Sequence, residues 1–157
     1  NLSYQFKFNL IKKTYWTIVL GIPEKQKAII KKPILKSMIL GKEKMVVSQI
    51  DGLEAKTFYE IIDTRKGFSF LKVKPLTGRK HQIRTHLASI GNPILGDKKY
   101  NENIIINTSL LKKNLPMHLC AKHIRIKNIK NKIINISAPL PIHMKDTFFK
   151  LNFDISN

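Results

Sequence analysis

A chain of 157 residues carries 29 basic against 10 acidic side chains, a formal net charge of +19. That length is one domain, able to bury about 70% of its unfolded surface, and the excess of cations favours a polyanionic partner because each neutralised phosphate releases counterions. A single cysteine, Cys120, excludes an internal disulfide and points to a reducing compartment, and no apolar run approaches the roughly 20 residues a membrane-spanning helix needs.

Part of the charge follows from residue bias, since Lys, Ile and Asn together make up 61 residues, as expected of an AT-rich genome. RNA binding remains the better reading because acidic residues are so few. The N-terminus has no signal-peptide layout, so the sequence reads as soluble and cytoplasmic. Residue 1 is Asn rather than Met, which suggests a start inside a longer product.

In chain order, residues 2–13 read as the tail of an amphipathic helix, with Leu2, Phe6 and Leu10 on one side. Residues 15–21 read as a strand that puts Tyr15, Thr17 and Val19 on one face and Trp16, Ile18 and Leu20 on the other. Residues 22–33 read as a lysine-rich loop. Two short strands broken near Gly41 fill 34–50, and Asp51-Gly52 marks a turn. Residues 55–63 and 68–75 form the clearest hairpin.

Thr77-Gly78 then supplies a tight turn before a helix over 81–90, whose apolar stripe is Ile83, Leu87 and Ile90. Gly91 is placed to end that helix in the left-handed conformation, and Pro93 prevents an immediate restart. A loop over 101–107, a short helix over 108–114, strands over 117–127 and 133–137, and a last helix marked by Met144, Phe148 and Leu151 complete the chain. No repeat or second domain is visible. The fold class is α+β, a mostly antiparallel mixed sheet with a few flanking helices.

Arginine usage singles out the middle of the chain. There are 25 Lys and only 4 Arg, and Arg79 and Arg84 both fall in the stretch 75–97. Where lysine is the default cation, an arginine suggests a need for the planar guanidinium fork that holds a carboxylate or phosphate by two hydrogen bonds. On the residues alone, an amphipathic helix with solvated cations is an equal reading.

The stretch Thr77-Gly78-Arg79-Lys80-His81-Gln82-Ile83-Arg84-Thr85-His86-Leu87, then Gly91-Asn92-Pro93-Ile94-Leu95-Gly96-Asp97 and Tyr100, resembles the signature of RluA-type pseudouridine synthases. Those enzymes show Thr-Gly-Arg-Thr/Ser-His-Gln-Ile/Leu-Arg-x-His, then Gly-His-Pro-Ile-x-Gly-Asp and a Tyr. Lys80 replaces a hydroxyl residue and Asn92 a His. The strand Lys13-Thr14-Tyr15-Trp16-Thr17-Ile18-Val19-Leu20-Gly21 resembles the family's Lys-x-Tyr-x-Ala-x-Val-x-Gly, and Ala138-Pro139 matches a later position. The resemblance spans nearly the whole chain but only the C-terminal part of the family's catalytic domain, so residues 1–157 are expected to be that part of a single domain.

The resemblance implies an enzyme that breaks the bond between uracil and ribose, turns the base and rejoins it through carbon, on a uridine flipped out of its helix. It implies no metal and no organic cofactor. By resemblance Tyr15 stacks on the base near the carbon-bound proton; on its residues alone Tyr15 reads as a sheet residue facing a core. Arg84 matches the arginine that pairs with the catalytic aspartate and keeps it ionised. Arg79, Lys80 and His81 are the expected substrate or RNA contacts.

The family's aspartate follows Arg-Leu, and none of the aspartates here (51, 63, 97, 146, 154) does. The Arg-Leu-Asp segment is therefore expected upstream of residue 1, and Asp97 is expected to cap or hold a loop. Without that carboxylate a buried Arg84 is expected to be an unpaired charge costing roughly 3–5 kcal/mol. The expected partner is RNA, ribosomal first and transfer RNA second, with no membrane. The protein is expected to be a monomer when complete, or to need the part that precedes residue 1. The competing reading is a basic RNA-binding protein without chemistry, or a decayed remnant of the enzyme.

Other chemistry is weaker. His81 and His86 lie about 140° apart on a helix, poorly placed for one metal. His118, Cys120 and His123 lack a fourth ligand, Cys120 has no nucleophile context, and no glycine-rich phosphate loop is present.

Overall fold

The structure is a computed structural model that describes residues 11–101, 111, 114–128 and 132–155. Most of the helix tail expected over 2–13, and most of the loop and short helix expected over 101–114, lie outside the described residues. The elements are β1 (Lys12–Leu20), β2 (Lys27–Lys31), β3 (Ile34–Ile39), β4 (Lys42–Val47), β5 (Lys56–Arg65), β6 (Phe68–Pro75), α1 (Gln82–Ser89), β7 (Leu119–Lys127), β8 (Ile133–Ser137) and α2 (Ile142–Leu151). Two expectations are corrected. Lys12 and Lys13 belong to β1 rather than to a helix, and the loop expected over 22–33 contains β2. That short strand pairs with β5 along the sheet edge, and its flanking lysines, which masked it in the sequence, keep such an edge from recruiting further strands.

Six strands form one sheet in the order β2-β5-β6-β1-β7-β8, while β3 and β4 form a separate two-stranded sheet. Every strand pairing among the described residues is antiparallel. The β5–β6 turn is closed by Lys66 (φ 51°) and Gly67 (φ 80°), both left-handed, which matches the twist of a two-residue hairpin.

Because β1 and β6 are central, both of their faces are buried. Trp16, Ile18, Leu20, Phe68 and Phe70 pack with Met144, Phe148 and Leu151 of α2. Val19, Leu71 and Val73 pack on the other face with Ile83 and Leu87 of α1, and Tyr15 joins that group at its margin. Burying a side chain of this size contributes about 1.5–3 kcal/mol, so these two apolar layers fix the register of β1 and with it the face on which Tyr15 sits. β8 is the opposite edge, where Ile133, Ile134 and Ile136 are all exposed.

The exit from α1 is built as the sequence suggests. Gly91 takes φ 80°, and the amides of Gly91 and Asn92 bond back to the carbonyls of Ala88 and Leu87. Asn92 is buried and donates its side-chain amide to the Leu20 carbonyl at 3.0 Å, which binds the helix exit to the end of β1. Ile94 then bridges Val19, and the chain turns at Gly96.

Candidate active site

A cavity of about 380 Å³ opens between the start of β1, the end of β6 and the N-terminal turn of α1. Tyr15, Arg79, His81 and Arg84 line it together with Lys13, Gln82 and Met117. Its size falls within the about 300–1,000 Å³ usual for small-molecule sites. Four of the five predicted site residues thus share one cavity. Lys80 does not line it: its ammonium bonds Glu43 on β4, and this pair, with Lys36 at 2.7 Å from the same carboxylate, holds Glu43 down at about 2.

Tyr15 stands where β1 pairs with β7 irregularly. Thr14 faces His123 but Tyr15 faces Ala121, so Lys122 is the extra residue of a bulge. Bulges re-aim side chains, and this one adjoins the cavity wall. Burial pushes the Tyr15 phenol above its usual range, so at neutral pH it is an uncharged ring with an intact hydroxyl. That hydroxyl has no hydrogen-bond partner among the described residues.

Arg84 is not the unpaired charge that the sequence predicted. Its Nε and Nη2 donate to Oδ2 and Oδ1 of Asp97, both at 2.7 Å, and the carboxylate is fully buried. Asp97 Oδ1 also accepts from the amides of Lys99 and Tyr100, so the loop-holding role expected of Asp97 and the ion pair coexist in one side chain. The Tyr100 ring packs against the guanidinium, 4.9 Å from its centre. Asp97 raises the pKa of Arg84 further, and Nη1 is left without a hydrogen bond among the described residues, on a residue that walls the cavity.

Gly96 makes this geometry possible. It has φ 78°, and a Cβ there would lie 2.1 Å from the Pro116 carbonyl oxygen, so only glycine lets the chain pass and turn Asp97 inward.

The sequence reading missed the polar residues that support the site from behind. Gln82 is buried and uses its whole amide: Oε1 accepts from Thr77 Oγ1 and the Arg79 amide, while Nε2 donates to the Lys56 carbonyl and Thr57 Oγ1. His86, outside the apolar stripe of Ile83, Leu87 and Ile90, is nevertheless fully buried. One ring nitrogen lies 2.8 Å from Thr57 Oγ1 and the other 2.8 Å from the Lys32 carbonyl. Since Lys32 O can only accept, Nε2 carries the proton, and the Thr57 hydroxyl donates to Nδ1. Burial is the main cause that depresses the pKa of His86, consistent with the neutral ring this arrangement needs. Gln82 and His86 sit at i and i+4, which was the only signal in the sequence that they share a face.

Arg79 donates Nε to the Glu54 carbonyl at 3.0 Å, which holds its guanidinium at the cavity rim. Away from the cavity, His118 is fully buried, its ring nitrogens 2.8 Å from the Pro116 carbonyl and 2.8 Å from Thr147 Oγ1. Both nitrogens are thereby occupied, and no group of three His, Cys, Asp or Glu among the described residues could hold a metal ion. Cys120 is buried, and its thiol is pushed up by that burial. No described helix is long and apolar enough to cross a membrane.

Comparisons with known proteins place this site in context. The family model "RNA pseudouridylate synthase" matches residues 1–89, which include β1, the β5–β6 hairpin and α1. An uncharacterized RNA pseudouridine synthase of Zymomonas mobilis is 37% identical over 149 residues, covering 94% of this chain and 65% of its own length. Ribosomal large subunit pseudouridine synthase C of Buchnera aphidicola is 32% identical over 149 residues, 93% of this chain and 47% of that protein. The solved structure of human RNA pseudouridylate synthase domain containing 4 superposes with a TM-score of 0.83 at 23% identity, over 99% of this chain and 68% of that one, which shows a shared fold. The chain thus spans between about half and two thirds of the length of these curated relatives. On the match of that family model to more than half of its residues, the chain belongs to the RNA pseudouridine synthase family.

Proposed function

We propose that the chain supplies the uridine-holding part of an RNA pseudouridine synthase site, acting on ribosomal RNA in the cytoplasm. The observation that carries this is the meeting of Tyr15, Arg79, His81 and Arg84 around one cavity. The reaction breaks the N1–C1′ bond of a flipped uridine, turns the base and forms a C5–C1′ bond. The C5 proton leaves and N1 gains one, so the net change is an isomerisation. Tyr15, uncharged at neutral pH, offers its ring as a stacking surface and its hydroxyl near the reacting edge of the base. Arg84 acts as a positioning residue: Asp97 fixes two of its nitrogens, and Nη1 is available to orient the reacting carboxylate.

No acidic side chain among the described residues lines the cavity; in this reading the carboxylate comes from the part of its relatives' length that the chain does not span. RNA approaches along a second, basic groove of about 730 Å³ that shares Ile11, Lys13 and Pro75 with the cavity and is lined by Lys12, Lys72, Lys74 and Arg125. Among the described residues these four cations make no salt bridge, which leaves their charge for phosphates. Ribosomal RNA as the target rests on the names of relatives such as the Buchnera protein.

The test is pseudouridine formation in unmodified large-subunit ribosomal RNA by the intact native protein. Arg84→Met should abolish it, and Tyr15→Phe should remove most of it while RNA binding persists. Near-normal turnover in Arg84→Met would remove Arg84 from its role. That no described residue lining the cavity is acidic also favours a second reading, an RNA-binding protein without chemistry; that reading leads if the intact mass of the native protein is 18.1 kDa.

A further inference from the structure

His81 occupies an unusual position at the head of α1. It is the residue before the first helical turn, in the left-handed conformation with φ 50°, yet its side chain makes no capping hydrogen bond. Residues at this position normally use their side chain to cap, and a non-glycine residue in the left-handed conformation carries strain. The ring is instead held by Tyr100: His81 Nδ1 lies 3.0 Å from the Tyr100 hydroxyl, with the two rings edge to face at 5.8 Å.

The hydrogen bonds around Tyr100 decide which way that contact runs. The backbone amide of Met45 on β4 donates to the Tyr100 oxygen at 3.1 Å, and an amide can only donate. The phenol's own proton then needs an acceptor, and His81 Nδ1 is the only one within reach among the described residues. Tyr100 therefore donates to Nδ1, and the neutral ring carries its proton on Nε2. Neutrality fits the surroundings, since burial and the Arg84, Lys99 and Lys80 charges all depress the pKa of His81. Nε2 points broadly away from Tyr100, has no partner among the described residues, and belongs to a ring that walls the cavity with Tyr15 and Arg84.

We propose that His81 reads the base in this cavity, its Nε2–H donating to a carbonyl oxygen of uracil, and that Tyr100 is the positioning residue that fixes the tautomer. This rests on the cavity being a uridine site. The chain Met45 N–H to Tyr100 O–H to His81 Nδ1 makes the donor obligatory. It also ties the base-reading group to the β3–β4 sheet, and to Arg84 through the face of the same tyrosine. A donor here suits uracil, which offers only carbonyl acceptors on its two exocyclic positions.

The experiment is nitrogen-15 NMR of the histidine rings in the intact protein, with the His81 signals identified by their loss in His81→Asn. The expected result is a His81 ring protonated on Nε2, becoming a mixture of tautomers in Tyr100→Phe while His86 keeps its signal. Adding uridine 5′-monophosphate should then shift the His81 Nε2–H resonance, and ribose 5-phosphate should not. An Nδ1-protonated His81, or a tautomer indifferent to Tyr100→Phe, overturns the proposal. So does a response to ribose 5-phosphate equal to that of the nucleotide. If Tyr15 ring signals respond to the nucleotide and His81 does not, the uridine site stands and the role of His81 falls. If neither responds, both fall.

Discussion

Arg84 and Asp97 join α1 to the loop after it by two parallel hydrogen bonds of 2.7 Å, with the carboxylate fully buried and the arginine side chain 18% exposed. This pair satisfies within the chain a charge that would otherwise wait for a carboxylate from elsewhere. Removing one partner should therefore be costly: Asp97→Asn is expected to lower stability by about 3 kcal/mol. Adding Arg84→Met to it should cost much less than the sum of the single changes, with a coupling of about 1–3 kcal/mol in a urea-unfolding double-mutant cycle. Additive costs would mean the pair is not a coupled unit.

Two glycines in left-handed conformation test whether space or backbone angle governs the approach to Asp97. At Gly91 a Cβ would meet nothing within 4 Å, whereas at Gly96 it would meet the Pro116 carbonyl oxygen at 2.1 Å. Gly91→Ala should cost about 1–2 kcal/mol for conformation alone. Gly96→Ala should cost clearly more and loosen the Arg84 contact. Equal unfolding midpoints for the two variants would contradict this account of the turn.

Buried histidines give the fold a dependence on acid. Burial lowers His118 to about 4 and lowers His86 in the same direction, against an unfolded value of about 6.5. Below 6.5 the unfolded chain binds protons that the folded chain refuses, so the stability these groups contribute is intact above that pH and falls as pH drops. For His118 the loss runs from about 6.5 to about 4 at roughly 1.4 kcal/mol per pH unit. Unfolding midpoints in urea from pH 7.5 to 4.5 should show the decline. A flat profile would mean that these rings protonate freely in the folded state.

The basic groove makes a prediction about salt. Lys72→Glu or Lys74→Glu should weaken binding of single-stranded RNA, and each lost phosphate contact should reduce the slope of log affinity against log salt by about 0.7. Lys74 is exposed on β6, so the fold should tolerate its change, whereas Lys72 is half-buried opposite Glu60 of β5 and its change should also cost some stability. An unaltered slope would place the RNA elsewhere.

How much of this was legible in the sequence varies with the range of the interaction. The faces of β1 were legible because both carry apolar residues in strict alternation, and the exit of α1 because Gly91 and Pro93 are local signals. β2 was not, because a five-residue edge strand bounded by lysines looks like a solvated loop. Four residues of the cavity were found through the family motif. What the sequence hid was the set of long-range polar partners. Thr57 lies 25 and 29 residues from Gln82 and His86. Asp97 lies 13 residues from the arginine it pairs with, across a turn whose direction depends on Gly96. No periodicity reports such pairs, because they depend on how β5 and α1 are brought together by the two apolar layers.

The central claim is that residues 1–157 hold the uridine while the reacting carboxylate comes from outside them. It is tested most directly by tritium release from RNA labelled at C5 of its uridines, since forming the C5–C1′ bond expels that hydrogen. The intact native protein and residues 1–157 alone are compared on the same unmodified ribosomal RNA. The account predicts release by the intact protein and none by residues 1–157, which should still bind the RNA. Release by residues 1–157 alone, or RNA binding without release by an intact protein that carries an Arg-Leu-Asp segment, would contradict it.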